Sequence, residues 1–132
     1  MNNRQKWTLT AAFLLLLILA GAMAVFLNQR AVYEGVKQFQ IEVISERDEY
    51  SEIMDCKSSE EYLGQYLRTM EGCEWQDAEY GLYITGFYGM SEDLSRQYWW
   101  CVYVNHEDST LGADAIPLAD GNIYTFRLMQ GW

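Results

Sequence analysis

The stretch that decides the fold is "YWWCVYVN", residues 98–105, which runs directly into "HEDSTLGADAIPLADGN". Side chains alternate sides along a β-strand. One face of this strand therefore carries Tyr98, Trp100, Val102 and Val104, and the other carries Trp99, Cys101, Tyr103 and Asn105. Both faces are too apolar for a strand with one side in water, so each must be covered or used.

The segments around it show what could cover the first face. "QFQIEVIS" (38–45) alternates Phe39, Ile41 and Val43 with Gln38, Gln40 and Glu42, the period of a half-buried strand. "YSEIMDC" (50–56) is a weaker second strand closing a hairpin through "ERDE". The period changes in "SSEEYLGQYLRTM" (58–70), where Tyr62, Leu63, Tyr66, Leu67 and Met70 form one helical stripe. Ser58 and Glu61 have capping-box spacing, and Gly72 is placed to end the helix. "GLYITGFYG" (81–89) sets Leu82 and Ile84 against Tyr83, Thr85 and Phe87, and "IYTFRLM" (123–129) follows an Asp120-Gly121 turn.

The expected order is strand, strand, helix, strand, strand, strand. One helix on one face of a mixed sheet is a two-layer α+β solution. The helix then covers Phe39, Ile41, Val43, Leu82, Ile84, Trp100, Val102 and Val104. The reverse face keeps Tyr83, Phe87, Trp99, Tyr103 and Asn105, the candidate surface for a ligand or partner.

Upstream of this domain, "WTLTAAFLLLLILAGAMAVFL" (7–27) has no charged residue. As a helix of that length it would span about 31 Å, matching a hydrocarbon core of about 30 Å. Arg4 and Lys6 precede it, so the expected topology is a cytoplasmic 1–6, a transmembrane signal anchor 7–27, a stalk 28–37 and an extracellular domain 38–132. Cleavage after Ala24 would instead secrete the domain, although the apolar run continues through Leu27. Position 22, after "LAG", is Ala, which excludes lipoprotein acylation there.

Beyond residue 30 there are nineteen acidic and six basic residues, a net charge of −13. Such a surface repels nucleic acid and anionic lipid. No D-x-[DN]-x-[DN]-G calcium loop is present. Three cysteines, Cys56, Cys73 and Cys101, leave at least one thiol unpaired in a monomer. A helix over 59–70 would hold Cys56 and Cys73 about 18 Å apart, too far for a disulfide. Cys101 with either partner stays open beside three free thiols. With one histidine, His106, set in a turn, and no CxxC, neither a zinc site nor a nucleophile–base pair is expected, and the chain does not read as an enzyme.

"YGLYITGFYGM" and "YWWCVYVNHEDSTLGADAIPLADGNIYTFRL" together resemble the bacterial family of transcobalamin-like C-terminal domains, over roughly residues 38–130. The matching positions include Gly81, Tyr83, Ile84, Gly89, Trp99, Trp100, Tyr103, Asn105, Gly112, Asp114, Asp120 and Gly121. His106 replaces the usual glycine after Asn, and Asn122 the usual Asp after Asp-Gly. The resemblance implies a β-grasp-like domain and a corrinoid such as cobalamin as a conceivable ligand, without the helical companion domain of the vitamin B12 carriers. Two functions follow: a membrane-anchored extracytoplasmic module capturing a small ligand, or a protein-interaction module of a surface assembly.

Overall fold

The computed structural model describes residues 3–30 and 34–132, with the backbone alone for 23–30. Met1 and Asn2 of the expected cytoplasmic segment, and residues 31–33 of the expected stalk, lie outside the described residues. Two compact units are present, Met1–Val32 and Tyr33–Trp132. The first is a helix, α1 (Asn3–Arg30). Its stretch Asn3–Ala22 is long and apolar enough to cross a membrane, by length and composition.

The second unit is mixed α+β with two sheets. Strands β1 (Lys37–Ser45) and β2 (Tyr50–Ser58) form an antiparallel hairpin in register from Lys37↔Ser58 to Ser45↔Tyr50. Helix α2 (Leu63–Thr69) follows. Next come β3 (Cys73–Ala78), β4 (Gly81–Phe87), β5 (Met90–Ser91), β6 (Tyr98–Val104), β7 (Glu107–Asp108) and β8 (Ile123–Gln130). The larger sheet has the order β2-β1-β8-β6-β7, and the smaller one β3-β4-β5. In the centre of the larger sheet β1 and β8 are parallel, while β6 is antiparallel to β8.

Alternation along β1 places Phe39, Ile41 and Val43 in the core, where Leu63 and Leu67 of α2 meet them. Tyr124, Phe126 and Leu128 of β8 and Trp100 of β6 complete that layer. Each fully buried side chain of this size contributes about 1.5–3 kcal/mol. Tyr124 is buried with its hydroxyl satisfied: it donates to the Pro117 carbonyl at 2.8 Å and accepts from the Ala119 N–H at 3.0 Å.

Four expectations are corrected. The helix starts at Leu63 rather than near Ser58. Ser58 is still paired with Lys37 in the hairpin, and residues 61–63 give their backbone bonds to the 116–118 segment, with Leu63 N–H to Ile116 O at 2.8 Å and Leu118 N–H to Glu61 O at 2.9 Å. Gln65 therefore replaces the expected capping box, its Oε1 accepting from the Tyr62 N–H at 2.9 Å and the Glu61 N–H at 3.0 Å.

The single sheet is in fact two. β4 pairs with β3 and β5, neither of which has a readable alternating pattern. Phe87 is buried in the core rather than lying on the reverse face. The β3–β4 register shifts between Glu74 and Trp75, passing from Gly86 to Ile84 and skipping Thr85. That one-residue bulge turns Phe87 to the side of Leu82 and Ile84, and its ring meets Trp100 and Phe126 at centroid distances of 5.0 and 4.9 Å. Finally, Lys37, assigned to the stalk, opens β1 and is buried, its Nζ donating to the Glu60 carbonyl at 2.8 Å.

Candidate ligand-binding face

The face of the larger sheet opposite the core is built by the second set of alternating residues. Register fixes its rows: Trp99 beside Met129, Cys101 beside Arg127, and Tyr103 beside Thr125, with Glu42 of β1 on the far side of Thr125. A concavity of about 250 Å³ opens there, lined by Glu42, Tyr103, His106, Thr125 and Arg127. Thr125 is buried, and its hydroxyl donates to Glu42 Oε1 at 3.0 Å. The Arg127 guanidinium has Glu46 as its nearest carboxylate, at 3.8 Å, beyond hydrogen-bonding distance.

His106 comes to this rim through a two-residue hairpin loop between β6 and β7. Val104 pairs with Glu107, leaving Asn105 (φ 50°) and His106 (φ 70°) as the loop. Two successive positive φ values are those of a type I′ turn, whose second position favours glycine. A histidine there holds a left-handed backbone at some cost and carries its imidazole to the concavity.

The five expected site residues separate. Trp99 and Tyr103 lie on the open face. Trp99 is anchored by its indole N–H donating to the Gly131 carbonyl at 2.6 Å. Tyr103 has its phenol pushed up, first by burial and then by the nearby Cys101 and Asp108. Asn105 is spent on architecture: its Oδ1 accepts from the Ile123 N–H at 2.9 Å and its Nδ2 donates to Asn122 at 3.0 Å. Tyr83 sits on the other sheet with its hydroxyl donating to Glu92, and burial followed by that carboxylate raises it to about 12. Phe87 belongs to the core.

The residues that sequence reasoning passed over are Glu42, Thr125 and Arg127. Their signal was the polar half of the alternation in "QFQIEVIS" and in "IYTFRLM". The three cysteines are free. Burial pushes the Cys73 thiol up to about 12 and the Cys101 thiol up to about 11, which keeps both in the unreactive protonated form at neutral pH. Among the described residues no group of three or more His, Cys, Asp or Glu side chains is arranged to hold a metal ion.

Three comparisons place this geometry among known proteins. The chain is similar to a candidate metal-binding protein from Ruminococcus gnavus ATCC 29149, with 29% identity and a TM-score of 0.68 over 73% of this chain and 99% of that one. Its fold is also like that of haptocorrin in complex with Cbi, at 14% identity and a TM-score of 0.62; the match takes in 76% of this chain and 26% of haptocorrin, so this chain spans about a quarter of that protein. No curated protein matches it. A family model described as Domain of unknown function (DUF4430) matches residues 58–129, more than half of the chain. The transcobalamin-like resemblance of the sequence agrees with these findings, and the chain belongs to that DUF4430 family of domains of unknown function.

Proposed function

We propose that this chain is a membrane-anchored, extracytoplasmic binding module whose β-grasp-like domain captures a small ligand, with corrinoids the first chemistry to test. The observation that carries the reading is the concavity on the open sheet face, where Arg127 keeps a guanidinium free of any hydrogen-bonded carboxylate in a unit of strongly negative charge. An arginine on a central strand whose neighbouring carboxylate is too distant to hydrogen-bond keeps its donors available for an acceptor group. The likeness in fold to haptocorrin in complex with Cbi is the reason that corrinoids are the first ligands to test. A hairpin, a helix and a parallel β1–β8 centre support the β-grasp reading.

The apolar stretch of α1, with Arg4 and Lys6 at its N-terminal end, supports anchoring with the domain outside. Binding rather than catalysis is favoured by the protonated, unreactive state of the Cys73 and Cys101 thiols. A metal as the ligand has less support, given the lack of a suitable donor group among the described residues. The concavity is shallow and one-sided, so affinity for a small molecule should be modest.

Equilibrium dialysis of the full chain in non-ionic detergent micelles against cobinamide and cobalamin tests this. Saturable retention, weakened in Arg127→Gln, is the expected result. No retention up to about 1 mM ligand, a binding energy of roughly 4 kcal/mol, would end the corrinoid reading. A second reading is a protein-interaction module. It is favoured by the outer edge of β2, which pairs with no other described strand and carries Ile53 at 54% exposure. Cross-linking through a photoreactive group placed at Ile53 in cells would separate the two: specific adducts there, with no corrinoid retained, would favour the edge.

A further inference from the structure

Glu42 and Arg127 face the same concavity and carry opposite charges, yet no ion pair joins them. Glu42 stands opposite Thr125, and Arg127 lies two residues further along β8. A strand spacing near 4.8 Å and a rise near 3.3 Å per residue put the two Cα atoms about 8 Å apart. Glu42 commits Oε1 to the Thr125 hydroxyl, and its Oε2 has no hydrogen bond among the described residues. Thr125 is buried between Glu42 and Tyr103 and so fixes the carboxylate in place.

Three other cations of this unit are held by hydrogen bonds, and Arg96 lies over the Tyr98 ring. Lys37 donates to backbone carbonyls, Arg47 is held by Asp48 and the Ser91 carbonyl, and Arg68 is held by Asp114. Arg127 reaches the concavity with no hydrogen bond to its donors, its nearest carboxylate being Glu46 at 3.8 Å. Tyr103, on the opposite side of Thr125 from Glu42, supplies an aromatic face that favours a cation. His106, in its left-handed backbone position, closes the rim. Backbone strain kept at a binding rim is a common mark of function.

We propose that this concavity binds a small zwitterion, with the ammonium group held by Glu42 beside the Tyr103 ring and the carboxylate held by Arg127. The inference rests on the open face being a ligand surface, and it does not require that ligand to be a corrinoid. A fixed carboxylate and a guanidinium without a hydrogen-bonded carboxylate, held apart on one rigid sheet, suit a molecule carrying the complementary charges at its two ends. A ligand with one charge would satisfy one side and desolvate the other without compensation.

The test uses the ¹⁵N-labelled full chain in non-ionic micelles, titrated separately with 4-aminobutanoate, butanoate and butylammonium. The expected result is saturable shifts of the Tyr103, His106 and Thr125 amides with 4-aminobutanoate, and binding at least about tenfold weaker for each singly charged probe, the size of one lost charged hydrogen bond. Arg127→Gln should weaken 4-aminobutanoate by a similar factor while leaving butylammonium unchanged, and Glu42→Gln should weaken butylammonium while leaving butanoate unchanged. Equal affinities for the three probes, or no saturable shift with any of them, would overturn the proposal on the unmutated chain alone. Cobinamide retention without zwitterion preference would leave the corrinoid reading standing and remove this inference. Zwitterion preference without cobinamide retention would do the reverse.

Discussion

Arg68 of α2 and Asp114 of the 3₁₀ turn Ala113–Ala115 form a two-pronged ion pair, Nη1 to Oδ1 at 2.6 Å and Nη2 to Oδ2 at 3.1 Å. Asp114 Oδ2 also accepts from the Leu82 N–H at 2.9 Å. One carboxylate thus ties the helix of the larger layer to β4 of the smaller sheet.

Asp114→Ala leaves a guanidinium and a backbone N–H without their acceptor. It should cost about 2 kcal/mol, the usual range for charge-assisted hydrogen bonds at a partly exposed site. Urea unfolding at neutral pH checks this. The Arg68 guanidinium, ahead of the other causes, holds the Asp114 carboxyl below its ordinary value. A depressed folded-state pKa gives stability that is present above the unfolded value, near 3.9, and is lost as pH falls through the folded one. Asp114→Asn should therefore flatten part of the acid limb of stability below about pH 5.

Gly64→Ala offers a test of sign. In an open helix the change stabilises by about 1 kcal/mol. Here a Cβ would overlap Asp114 Oδ1 and come within 3.0 Å of the Asp114 Cα. The substitution should instead destabilise, by about 1–3 kcal/mol for such overpacking, and a thermal melt that rises would contradict the packing described.

Phe87→Ala and Tyr83→Ala come from the same strand and should differ widely. Phe87 is fully buried between Trp100 and Phe126, so its loss should cost about 3–5 kcal/mol. Tyr83 is 41% exposed, and its loss should stay below about 1 kcal/mol. Chemical denaturation of both variants gives the ratio directly; equal costs would mean that the bulge at Thr85 is misplaced.

The thiols provide a check without mutation. Burial holds Cys73 at about 12 and Cys101 at about 11, and Cys56 is enclosed in the core. At pH 8 a disulfide-exchange reagent should react slowly with the native chain and rapidly with all three cysteines in guanidinium chloride. Fast native reaction of even one thiol would contradict these environments.

Particular elements show where sequence reading stops. "QFQIEVIS" and "YWWCVYVN" were legible because a strand with one covered face must alternate, and Trp100 indeed faces the core while Trp99 and Tyr103 face away. β3, "CEWQDA", was not legible: it is mostly exposed and held by hairpin pairing with β4, which leaves little apolar trace. The start of α2 was misread because Ser58–Glu61 has the local spacing of a cap, while residues 61–63 are claimed by a segment more than fifty positions away.

The sequence by itself determined the apolar span, the strongly acidic domain, the α+β class and the inward side of β1 and β6, because each rests on composition or on a period imposed by the chain's own geometry. Tertiary structure alone decided the division into two sheets, the inward turn of Phe87 and the meeting of Glu42, Thr125, Tyr103 and Arg127 around one concavity. Those follow from a skipped residue and from the register between strands distant in the chain, and register is set by pairing partners that no local pattern identifies.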